Sequence, residues 1–142
     1  MSQDYILRML HQVGAMLAGI IAKRQRGDLA GAEAELQEQC LQRVGLPLVV
    51  VKHSPPQAVA ELLAGGGALH HARGVFVAEL LLQDAALAEA RGNPPDALGS
   101  YRVAYRLLTD ALSVLSVDEE KTYRARLVAI AARLRDLGDD LT

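Results

Sequence analysis

Apolar residues recur every three or four positions along most of this chain, a spacing that predicts helices. Between Tyr5 and Lys23, the row Ile6, Leu10, Val13, Leu17, Ile20 and Ile21 marks one helix face. A second row, Met9, Val13, Met16 and Ile20, lies beside it and leaves Arg8, Gln12, Ala15 and Gly19 as a narrow remainder. An arc that broad belongs to a helix that is central in its own fold or covered by another chain. Gly27 ends it, with Arg24 and Arg26 in the last turn, where they suit the helix dipole.

Asp28 is placed to cap a second helix, Leu29 to Val44, with Ala32, Leu36, Cys40 and Val44 inside, Glu33, Glu35 and Glu38 in water, and Gly45 as its stop. The run from Leu46 to Lys52 is rich in Val and β-like, but a lone strand would have no partner. It is read as a packed connector or short irregular helix, within an irregular stretch 46–56. Ser54-Pro55-Pro56 predicts a helix start, Ser as cap and Pro in the first turn. That short helix ends at a glycine hinge, 65–67, which lacks the spacing and the lysine of a phosphate-binding loop. Long helices follow over Ala68 to Arg91 and from about Pro95 to Leu115. The inner residues of the latter are Ala97, Tyr101, Ala104, Leu108 and Leu112. Ser116 and Glu119 form a capping-box pair for a last helix carrying Tyr123, Leu127, Ile130, Ala131, Leu134 and Leu137, closed by Gly138. The pattern gives five long helices and one short one.

Composition supports an all-α fold. The 142 residues include 23 Ala and 24 Leu against no Trp and one Phe, a bias that favours helices over a β-sandwich or barrel. That length suits one domain, 1–142, large enough to hold a core without metal or disulfide. Fifteen Lys and Arg against seventeen Asp and Glu give a net charge of -2, without the basic excess of a nucleic-acid binder. No run of 18 apolar residues spans a membrane, and Met1-Ser2-Gln3-Asp4 lacks the positive start of a secretory leader. Cys40 alone makes no internal disulfide and reads as a small buried apolar residue. The expected compartment is the cytoplasm.

Two helix junctions match each other. Gly27 is followed by Ala32 and Leu36, and Gly92 by Ala97 and Tyr101, at the same spacings. Glycine permits the sharp turn, alanine lets paired helices approach, and the large side chain fills the groove above. This resembles the tetratricopeptide repeat, a helical hairpin of about 34 residues that stacks into a solenoid. Residues 78–111 match better, with Ala85, Gly92, Ala97, Tyr101 and Ala104 at favoured positions. In residues 13–46, Ile20 and Gln39 occupy sites that are small in the family. Thr109 stands where the helix-ending proline of the second hairpin would be, and residues 47–77 lie outside the pattern. The opening Asp4-Tyr5-Ile6-Leu7-Arg8-Met9-Leu10 also resembles the start of a bacterial family of short helical proteins, described as tetratricopeptide-like and bringing no known activity. The resemblance implies antiparallel helical hairpins stacked as a short solenoid.

It also implies a protein-interaction function. The first helix of each such hairpin lines the ligand-facing side, here Leu17, Ile21 and Arg24, then Glu79, Leu82, Ala86 and Glu89. That is an apolar strip rimmed by opposite charges, suited to a partner helix or peptide. The competing reading is that Leu17, Ile21 and Leu82 pack against the protein's own middle segment. The arc of Met9, Val13, Met16 and Ile20 points to self-association as a homodimer. No cofactor is expected. The alternative is a small metal-binding or hydrolytic protein using His70, His71 or His11. Against it, no H-E-x-x-H pair exists, and adjacent His70 and His71 start about 100° apart on a helix. His53 with Asp84 or Asp118 would need a nucleophile that the sequence does not announce.

Overall fold

The structure, a computed structural model, describes residues 3–65 and 70–139. Seven α-helices pack together, with no strand among the described residues. They are α1 (Gln3–Gln25), α2 (Leu29–Arg43), α3 (Leu48–His53), α4 (Pro56–Ala64), α5 (His70–Ala90), α6 (Leu98–Ala111) and α7 (Val117–Asp136). No described helix is long and apolar enough to cross a membrane.

The two matched junctions adopt the same turn. Gly27 and Gly92 take φ of 84° and 75°, a region that residues with a Cβ rarely adopt. Behind each glycine, the next amide donates back five residues, Asp28 to the Lys23 carbonyl and Asn93 to the Ala88 carbonyl. These bonds satisfy helix-end carbonyls that would otherwise lack a partner. Ala32 and Ala97 then have no exposed surface, and Leu36 and Tyr101 are buried above them. Asp28 caps α2 through Oδ1, which accepts the Gly31 amide at 2.9 Å. Ser116 and Glu119 form the full capping box on α7.

Helix α5 is the centre. From Gly74 to Leu81 every residue is buried, so its burial runs round the whole helix. It lies against α1, α2, α4 and α6, and α6 in turn carries α3 and α7. The α2 helix runs opposite to both α1 and α5: Lys23 near the end of α1 pairs with Glu35 at 2.8 Å, and Arg91 just past α5 pairs with Glu33 at 2.5 Å.

Three local expectations change. The β-like run is a regular helical turn and a half, because Leu48, Val51 and Lys52 at helical spacing meet the interior and outweigh valine's strand preference. Ser54 does not cap α4; its hydroxyl donates back to the Val50 carbonyl at 2.6 Å, and Pro55 stands at the cap with Pro56 in the first turn. The stretch after Gly92 begins as a 3-10 turn over Pro94–Ala97, so α6 starts at Leu98, and a second 3-10 turn follows it over Leu112–Val114. Gly65 ends α4; Gly66 and Gly67 of the expected hinge lie outside the described residues.

The broad apolar arc of α1 has an internal explanation. Val13 and Ile20 are buried in the chain's own core and Met16 packs against it, because α2 and α5 cover α1 from two sides. These three residues therefore offer no free face for self-association; the Met9 side chain lies outside the described residues.

Candidate functional site

The expected ligand strip is largely taken up by the protein itself. Leu17 is core, and Ile21 is half-buried against it. Glu79 is buried and held by the Arg126 guanidinium of α7. Glu89 is held by Arg133 of α7 and accepts the Tyr101 hydroxyl at 2.6 Å. Burial and Glu89 together push the Tyr101 phenol up to about 12. Leu82 reaches only a shallow hollow of about 220 Å³ that Ile130 and the two arginines also line. Ala86 is half-buried, and the half-buried Arg24 has its Nε out of water with no hydrogen-bond partner. Charges that would have rimmed a partner's groove instead bind α7 to α5.

An apolar cleft opens elsewhere, on the segment the repeat pattern does not cover. Helices α3 and α4, with the stretch just after α2, line a cleft of about 240 Å³. Its walls are Val44, Leu46, Val50, Val59 and Leu62, with Val77 of α5 at the back and Ser54 the one polar side chain. The rim stays wet: Leu62 is 58% exposed and Val50 47%. Proline builds this shape. Pro47 and Pro55 both stand at helix N-caps in extended backbone, which breaks the chain into two short helices. Sequence reasoning missed the cleft, although its signal was a dense aliphatic run cut by three prolines.

On the other side of α3 lies a polar cluster. The Lys52 ammonium, nearly out of water, sits 2.7 Å from Asp84 and 3.3 Å from Asp96. Asp84 also accepts the Ser100 hydroxyl at 2.6 Å. Cavities of about 200 and 380 Å³ flank the Lys52–Asp96 pair, and His53 lines both. Gly99 lets α6 come this close, since a Cβ there would overlap the Lys52 carbonyl oxygen. Chemically the cluster is already matched. Ser100 has no exposed surface and spends its proton on Asp84, so it presents no nucleophile. Nδ1 of His53 lies 3.0 Å from the Val49 carbonyl, within its own helix. The arrangement pins α3 to α5 and α6.

His70 and His71 start apart on the helix, but their rings turn to meet with centroids 3.9 Å apart. Burial and this neighbour lower the His71 pKa, against a smaller opposing pull from Asp110. His11 is exposed on α1. Asp118 lies at the start of α7. No group of three His, Cys, Asp or Glu able to hold a metal ion exists among the described residues. Cys40 is buried and donates to the Leu46 carbonyl at 3.2 Å; burial, then Asp84, push its thiol up to about 11.

Set against protein-family models, curated proteins and solved structures, the chain finds no match in any of the three comparisons.

Proposed function

We propose that this chain is a non-enzymatic protein-interaction module of the cytoplasm, a short tetratricopeptide-like scaffold that takes an amphipathic partner helix or peptide. The observation that carries this reading is the open aliphatic cleft between α3 and α4, with Leu62 and Val50 held at its rim. A solvated cleft of branched aliphatic side chains gains free energy when an apolar helix face covers it. The repeat-like layout is supported by the shared glycine turns and by the order of neighbours, α1 on α2, both on α5, α5 on α6, and α6 on α7. In this reading α3 and α4 interrupt the array and supply the docking surface in place of the first helices of each hairpin.

The test is selection from a displayed library of helical peptides against the folded chain, followed by fluorescence anisotropy with the enriched sequences. Enriched peptides should carry apolar residues at helical spacing, and Leu62→Glu should weaken them at least about tenfold, or 1.4 kcal/mol. The substitution lies on an exposed side chain, so the thermal midpoint should stay within a few degrees. Absence of enrichment, or equal binding by the Leu62→Glu chain, would overturn the proposal.

A further inference from the structure

Helix α7 ends the stack and is covered on one face only. Tyr123, Leu127, Ile130 and Leu134 are buried against the rest of the fold. The opposite face presents Asp118, Lys121, Ala125, Val128, Ala132 and Arg135, all exposed and spaced by three and four. Val117 and Val128 are 83% and 69% exposed, the largest values among the exposed large hydrophobic residues. Asp118, Lys121 and Arg135 have no ion-pair partner among the described residues, although Glu120, Arg124, Arg133 and Asp136 around them are all paired.

We infer that this face is a self-interface, on which a second copy of the chain lays its own α7 antiparallel. The charge pattern selects that occupant. Asp118 and Arg135 stand at opposite ends of the face, about 26 Å apart at 1.5 Å per residue. That separation exceeds the screening length of about 8 Å at physiological salt, so the two do not compensate each other within one chain. An antiparallel second copy brings Asp118 of each chain over Arg135 of the other. The same register sets Ala125 opposite Val128, twice, at the centre. A two-fold interface repeats each favourable contact, and the end charges of this face are complementary to themselves, while Lys121 faces Ala132. A parallel pairing would instead set like charges together. Alanine at the centre lets the two helices approach closely while Val128 fills the space between them. A single helix pair lies at or below the low end of the area range for stable interfaces, roughly 1,200 Å². The dimer therefore forms at micromolar or higher concentration.

The reading does not depend on the α3–α4 cleft. Sedimentation equilibrium from micromolar to sub-millimolar concentration decides it. The wild-type mass should rise from 15.2 kDa towards twice that value. Val128→Arg should weaken association at least about tenfold. Asp118→Arg alone should do the same, by placing Arg against Arg, and the double variant Asp118→Arg with Arg135→Asp should restore it. A wild-type chain monomeric throughout would overturn the inference. So would a Val128→Arg dimer as tight as wild type, or a double variant no tighter than Asp118→Arg. Leu62→Glu should dimerise normally, which separates this result from failure of the cleft reading. Circular dichroism checks that each variant is folded.

Discussion

Lys52 is the residue on which the placement of the inserted segment turns. Its ammonium is shared between Asp84 and Asp96, and Asp84 is itself tied to Ser100. Removing Lys52 leaves Asp84 largely out of water without its counter-charge, which is worse than never having buried it. Lys52→Met should therefore destabilise the chain by about 3 kcal/mol, read as the shift in a urea unfolding midpoint at constant slope. Replacing Asp84 with Leu in the same chain should recover part of that loss. If Lys52→Met unfolds at the wild-type midpoint, the cluster is a solvated pair and the pin does not exist. These three residues are far apart in sequence, so periodicity alone did not join them. Two of them left a trace, Lys52 directly after the apolar run Leu48 to Val51 and Asp84 as the one charge between Leu80 and Leu87.

Between elements, glycines record how closely helices approach. Gly99 stands where the start of α6 meets the carbonyl end of α3, and a Cβ there would strike backbone, which yields little. Gly74, inside α5, has ordinary room: a Cβ would sit 3.9 Å from that of Leu107. Gly99→Ala should thus lower stability by about 2 kcal/mol through overpacking. Gly74→Ala should raise it by about 1 kcal/mol by removing a flexible residue from a helix interior. Thermal unfolding of the two variants side by side checks both signs; a common sign would refute the contact geometry. Several helix boundaries were legible from local signals, although Ser54 shows that such a signal can fail. Asp28, Ser116 and the junction glycines each act on backbone within a few residues, and all are found as read. The Leu48–His53 helix was legible only as one of two readings, a packed connector or a short irregular helix, since its valines favour a strand until the core is there to receive Leu48 and Val51. The binding strip misled for the same reason in reverse. Glu79 and Glu89 looked free in sequence because Arg126 and Arg133 arrive from a helix much later in the chain.

For the molecule as a whole, one core connects all seven helices, and Cys40 is inside it. The folded state favours the protonated thiol, whose pKa rises from 9.0 to about 11. That contribution to stability is complete below pH 9.0 and is lost as pH climbs through about 11. At neutral pH, labelling of Cys40 by a thiol reagent should wait for global opening and follow the denaturant dependence of unfolding. Fast labelling of the native chain would mean that α2 opens locally. Helix α5 has one more consequence. From Gly74 to Leu81 it is buried all round, with Glu79 the one charge in that stretch. During synthesis it leaves the ribosome before α6 and α7 exist to cover it. A chain stopped near Arg91 would leave bare the side of α5 that α6 covers, a natural client for chaperones and a seed for precipitation. Solubility of the growing chain should thus depend on how quickly α6 follows, a demand on translation speed that the finished fold conceals.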